Sequence, residues 1–150
     1  MKSYRLGFSL KGFVAFMVVM IPNIVWIIAP PVNDPIAGNN ALYPIIDILL
    51  VASQVIMIAL LIIIIPNENM NSKSIKIYFK LACLCLLGYY VSWFCYYTGM
   101  VYPLMLVGMA VLPSIYFILI ELWLKNYIAI IPSIIFGITH IAITCSNYIS

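Results

Sequence analysis

From Leu81 to Ile120 the chain runs 40 residues without a charged side chain. One α-helix of that length would reach about 60 Å at 1.5 Å per residue, roughly twice the hydrocarbon thickness of a bilayer. The run must therefore fold back on itself. Thr98-Gly99 and Pro103 mark the place, because glycine ends helices and proline starts them. Two membrane spans joined by a very short turn are expected here.

Three further uncharged runs, Gly12 to Asn33, Ile48 to Asn67 and Asn126 to Ser150, are each long enough for one span. The expected fold is an all-α membrane protein, a single domain in which five transmembrane helices form a bundle. The expected spans cover about residues 12–28, 44–65, 77–97, 102–124 and 126–148. Pro30-Pro31 closes the first and Pro66 the second. Composition agrees: 66% of residues are hydrophobic and 7% charged, against about 25% charged in soluble domains. A chain this apolar and this short cannot hide its side chains from water by folding alone. The basic N-terminal region and the apolar run after it are expected to be an uncleaved first helix. The run is too long for a signal peptide, holds Pro22 and is followed by no A-x-A site.

Charge sets the expected orientation. Five spans put Lys2, Arg5, Lys11, Lys73, Lys76, Lys80 and Lys125 on one face and leave Asp34 and Asp47 on the other. By the positive-inside rule the N-terminus is cytoplasmic and the C-terminus extracellular. Four or six spans would scatter the lysines over both faces, so the charge pattern supports the count too. The net charge of +3 reads as membrane topology, and no nucleic-acid partner is expected. Tyr43, Tyr96, Tyr97, Tyr102 and Tyr148 are expected at the outer interface, and Tyr78, Trp123 and Tyr127 at the inner one, as aromatic anchors.

No nucleotide loop, nucleophile motif or metal-ligand spacing is present, so neither an enzyme nor a cofactor is expected. Cys83 and Cys85 point to nearly opposite sides of a helix. Cys95 and Cys145 both fall near the outer surface, where pairing would require Cα atoms within about 7 Å. The chemistry-bearing candidates are polar groups inside the membrane, where each is costly. Asn23 follows Pro22 and is placed to satisfy the carbonyl that the proline leaves without a donor, with Trp26 one turn further out as an anchor or a pocket wall. Asp47 reads either as a carboxylate favoured by a helix N-terminus or as a cation or proton site. Gln54, two turns deeper on the same face, reads as an interhelical hydrogen-bonding group. His140, the only histidine, reads as structural or as ligand- or proton-binding. Glu121 and Lys125 stand at i and i+4, the favourable order for an interfacial ion pair.

Tyr89, Ser92, Trp93 and Tyr96 recur at helical spacing and form one aromatic face. Asn23, Trp26, Asp47, Gln54, Tyr89, Trp93 and His140 all fall at mid-depth or in the outer half. Their convergence would make an outward-opening pocket with aromatic walls. Gly88/Ser92, Ala110/Ser114 and Ser133/Gly137 are small-xxx-small pairs that let helices approach closely.

The segments Pro22-Asn23-Ile24-Val25-Trp26, Pro30-Pro31-Val32-Asn33-Asp34-Pro35 and Lys125-Asn126-Tyr127-Ile128-Ala129-Ile130-Ile131-Pro132 resemble small uncharacterised polytopic membrane proteins of Gram-positive bacteria. The resemblance implies a bacterial plasma membrane and no activity. The span count is also similar to that of the translocator protein family, which binds porphyrin and sterol-like ligands, but most of that family's tryptophan pattern is missing.

The expected function is a transporter-like or sensory module with an outward-facing pocket for a small ligand or ion. The alternative is an accessory, assembly or immunity subunit that contacts a membrane-protein partner, or a second copy, through its helices. An intramembrane lipid enzyme would have Asp47 with His140 as its candidate acid/base pair.

Overall fold

The structure is a computed structural model that describes residues 4–66 and 75–149. Lys2 and Lys73, two of the residues used for orientation, lie outside the described residues. The elements run β1 (Tyr4–Leu6), α1 (Leu10–Ile28), a single 3-10 turn (Pro35–Gly38), α2 (Pro44–Ile63), β2 (Ile64–Pro66), α3 (Ile75–Tyr97), α4 (Pro103–Leu124) and α5 (Tyr127–Tyr148). Among the described residues five helices are long and apolar enough to cross a membrane. The fold is thus that of a multi-pass, all-α membrane protein, and each span lies within a few residues of its expected bounds.

The helix ends show local chemistry setting those bounds. Ser9 caps α1, its Oγ accepting from Gly12 N at 3.1 Å, so the helix begins at Leu10 rather than Gly12. The α3–α4 turn closes as the sequence suggests. Gly99 takes φ +82°, and Met100 N donates to Cys95 O at 3.0 Å while Gly99 N donates to Tyr96 O at 3.2 Å, occupying the last carbonyls of α3. At the end of α4, Lys125 takes the left-handed conformation, φ 60°.

The two-stranded pairing of β1 with β2, in the register Tyr4↔Pro66, Arg5↔Ile65 and Leu6↔Ile64, was not expected. Helix α2 stops at Ile63, two residues short of the expected bound. Its final carbonyls then need donors. Ser9 N reaches Ile62 O at 2.7 Å and Gly7 N reaches Ile63 O at 2.9 Å. Asn126 Nδ2 donates to Leu60 O at 2.8 Å. Residue 126, expected to open the fifth span, is instead a buried clamp on α2.

Helix α4 is the centre of the bundle. It packs broadly against α3 and α5, and α5 packs against α2, so the helices form an arc in the order α3–α4–α5–α2. Helices α2 and α3 do not pack along one another. Helix α1 lies across the open side of this arc, touching α2, α4 and α3 only lightly. The small-residue pairs are used inside the arc. A Cβ on Gly137 would stand 3.1 Å from Ser114 Cβ, and one on Gly88 would stand 3.2 Å from a Leu112 methyl group.

Of the glycines, Gly12 has the tightest surroundings: a Cβ there would lie 2.2 Å from the Leu61 carbonyl oxygen of α2. Gly12→Ala is expected to destabilise the protein by about 1–3 kcal/mol. Gly108→Ala, at a helical position with nothing within 4 Å, is expected to be neutral or stabilising by up to about 1 kcal/mol. Unfolding in detergent micelles measures both. Packing of α4 on α5 is checked by the pair Ser114→Cys and Gly137→Cys in a background without the native cysteines. It should oxidise, because the 3.1 Å gap between the two Cβ positions needs to open by only a few tenths of an ångström to enter the range of about 3.5–4.5 Å that disulfides span.

Candidate functional site

The Pro22 ring removes one N–H from α1 and leaves the Val18 carbonyl without its helical donor. The sequence suggested Asn23 as the replacement. The structure uses Tyr90, whose hydroxyl donates to Val18 O at 2.7 Å. Asn23 turns the other way: its Nδ2 donates to Val19 O at 3.1 Å and to the Tyr89 hydroxyl at 2.8 Å. This pins α1 to α3 at mid-depth and orients the Tyr89 ring. Tyr89, Trp93 and Tyr96 then follow one another down a buried face of α3. Their rings meet edge to face, with centroids 6.3 Å apart for Tyr89–Trp93 and 5.5 Å for Trp93–Tyr96, the arrangement aromatic quadrupoles favour.

Asn23, Tyr89 and Trp93 wall a cavity of about 200 Å³ to which all five helices contribute. Asn23 from α1, Gln54 from α2, Tyr89 and Trp93 from α3, and His140 from α5 line it. Helix α4 supplies an apolar wall that includes Leu106, Met109 and Phe117. His140 stacks on Phe136, with centroids 5.4 Å apart and 19° between planes. The polar inventory is short and incompletely satisfied. His140 Nδ1 is buried without a hydrogen-bond partner among the described residues. Trp93 Nε1 lies beside the Tyr89 hydroxyl without forming a well-made bond. Gln54, read from sequence as an interhelical group, makes no hydrogen bond to the described residues. Buried polar groups are ordinarily partnered, so Trp93 Nε1 and His140 Nδ1 are the groups a polar guest would engage, with the Gln54 amide beside them. No Asp, Glu, Lys or Arg lines the cavity.

Trp26 and Asp47 do not line it. Asp47 sits in the first turn of α2 and its Oδ1 accepts from Ala41 N at 3.0 Å. It folds back over its own helix start, as a carboxylate at a helix N-terminus does, and so shares no cavity with His140. Trp26 donates its indole N–H to Asp34, 3.0 Å from both carboxylate oxygens. Glu121 also departs from expectation. It is fully buried and accepts a short hydrogen bond from Ser133 across the α4–α5 interface. The left-handed turn at Lys125 takes that residue off the helix surface where an i, i+4 pair would form, and no ion pair joins the two.

Asp34 is the functional-looking residue that sequence reading passed over. The loop between α1 and α2 roofs the cavity through Ile36 and Asn39, and Asp34 anchors it. Besides Trp26, Asp34 accepts the Tyr96 hydroxyl at 2.5 Å, while Tyr96 itself accepts Ile36 N at 3.3 Å. Tyr148 donates to Pro35 O at 2.7 Å, and Asn39 Nδ2 donates to Thr144 Oγ1 at 3.0 Å. Tyr96, expected as an interface anchor, is only 1% exposed; its ring belongs to the core and its hydroxyl to the roof. Exposed Tyr43 and Tyr102 fit the anchor role. The one signal in the sequence was that Asp34 carries the sole charge of its loop.

Among the described residues no group of His, Cys, Asp and Glu could hold a metal ion. Comparison with family models, with curated proteins and with solved structures finds no match to this chain.

Hydrogen bonds to charged groups contribute about 1.5–3 kcal/mol each. Tyr96→Phe is therefore expected to lower stability by about that amount. In a double-mutant cycle with Asp34→Asn the two changes should be strongly non-additive. Additive losses would show that the roof is held elsewhere.

Proposed function

We propose that the chain is a transporter-like or sensory module of a bacterial plasma membrane, with its N-terminus cytoplasmic, that takes a small ligand into the five-helix cavity from the outer side. The observation that carries this reading is the meeting of two buried, unpartnered polar atoms, Trp93 Nε1 and His140 Nδ1, with Gln54 in one cavity otherwise lined mainly by apolar and aromatic side chains. Such a site suits a ligand of a few heavy atoms, since pockets for drug-sized ligands run to about 300–1,000 Å³. A neutral ligand fits better than an ion, because no fixed charge lines the walls to offset an ion's lost hydration. The indole and amide supply donors, and the Gln54 carbonyl supplies an acceptor.

Orientation rests on charge. Arg5, Lys11 and Lys125 lie at the end where β1, β2 and the α4–α5 turn meet, and Asp34 and Asp47 lie at the roofed end. The positive-inside rule turns the basic end to the cytoplasm. The accessory-subunit alternative has less support, because Gly88 and the Ser114–Gly137 contact are consumed inside the arc and offer no free face to a partner.

Two measurements test the proposal. A panel of small neutral amides, ureas and alcohols is screened by thermal shift on the purified protein. A hit should be lost in Gln54→Ala and His140→Ala and retained in Asp47→Asn. Equal binding by all three variants would remove the cavity from consideration. For orientation, Gly38→Cys, at a roof position with open space around it, should react with a membrane-impermeant thiol reagent on intact cells. Lys125→Cys should react only after permeabilisation.

A further inference from the structure

At the basic end two further hollows meet. One, of about 490 Å³, is bordered by Ser9, Lys11, Lys125, Trp123 and the β2 residues Ile64–Pro66. The other, of about 440 Å³, is a groove on the flank of the bundle. Lys11 and Trp123 belong to both, with Lys11 Nζ 5.8 Å from the centre of the Trp123 ring.

The groove is built from three stripes, one from each of three helices. Helix α1 contributes Lys11, Val14 and Val18, α3 contributes Phe79, Cys83 and Leu86, and α4 contributes Tyr116, Ile120 and Trp123. Each stripe repeats at three- and four-residue steps, so each follows one helix face and runs about 10 Å along the axis. The groove exists because α1 touches α3 only lightly. Its floor is apolar, and the Tyr116 hydroxyl there donates to Ala15 O at 3.0 Å. Its length of about 10 Å is roughly two thirds of the hydrocarbon depth of one leaflet, so it takes the headgroup-proximal part of one acyl chain.

The charge at its mouth is of one sign. No acidic side chain lines either hollow, and Glu121, the acid of α4, faces Ser133 instead. We propose that this end of the bundle is a binding site for an anionic phospholipid, with the phosphate between Lys11 and Lys125 and one acyl chain lying in the groove. The apolar slot parallel to the helix axes selects a lipid over a free phosphate. The two lysines select an anionic headgroup over a zwitterionic one. This site is separate from the roofed cavity and does not depend on the ligand reading.

The test uses the full chain purified in detergent, with thermal shift and native mass spectrometry as readouts. The probes are dioleoyl phosphatidylglycerol, dioleoyl phosphatidylcholine and glycerol 3-phosphate. Phosphatidylglycerol should bind and protect, phosphatidylcholine should do so much more weakly, and glycerol 3-phosphate should do neither. Removing one lysine, by Lys11→Gln or Lys125→Gln, should weaken phosphatidylglycerol roughly 5-fold, and removing both roughly 30-fold. Val14→Trp, at an exposed position of the groove, should block the acyl chain while leaving lipid-free stability unchanged. Equal binding of the two lipids, or full binding by the double lysine variant or by Val14→Trp, would overturn the proposal. So would competition by glycerol 3-phosphate at the lipid's own potency. A lipid-independent dimer cross-linked through Cys83 would assign the groove to a second copy instead.

Discussion

In lipid a backbone N–H or C=O without a partner has no water to turn to, and this molecule is organised around the places where its helices break that rule. Proline in α1 exposes the Val18 carbonyl, and Tyr90 of α3 covers it. The end of α2 exposes a row of carbonyls, covered by Gly7, Ser9 and Asn126. The end of α1 exposes the Ala29 carbonyl, which takes the Tyr97 hydroxyl at 3.2 Å. Each repair comes from a distant part of the chain, so each also fixes one helix against another. The tyrosines of α3 illustrate the economy. Tyr90 and Tyr97 mend α1, and between them Tyr89, Trp93 and Tyr96 wall and roof the cavity.

The five spans were legible because length, charge and glycine or proline punctuation are local properties that the bilayer reads one segment at a time. The convergence of Asn23, Gln54, Tyr89, Trp93 and His140 was legible as depth, since each could be placed at mid-membrane or above. Which face each turned inward depended on helix rotation, and sequence does not carry that rotation when nearly every face of a helix is apolar. Asp47 shows the cost. It shares a face with Gln54 by periodicity, yet its position in the first turn lets it reach Ala41 instead. Asp34 and the β1–β2 pairing were illegible for another reason. Both depend on partners far away in sequence, and the residues themselves read as ordinary turn and terminal chemistry. Glu121 had a plausible local partner in Lys125 and a better one, Ser133, on the next helix.

Helix α1 holds a distinct position. One face of it lines the roofed cavity through Phe16, Val19, Met20 and Asn23, and the opposite face lines the flank groove through Lys11, Val14 and Val18. Both hollows therefore share one wall, and that wall is the most lightly packed helix of the bundle. The remaining four helices, with α4 at their centre, form a frame whose contacts do not include it.

The arc order α3–α4–α5–α2 has a consequence for biogenesis. A helix normally finds its neighbour in sequence as it leaves the insertion machinery, but α2 has no packing surface on α3. Its main partner, α5, and the residue that clamps its end, Asn126, are made only after α3 and α4. Among the described elements only α1 and the short β1 segment are there to hold α2 before α5 arrives, so it must wait for that helix in the lipid. A chain cut before α5 would leave α2 with a bare flank, so insertion of α5 is also the step that locks α2.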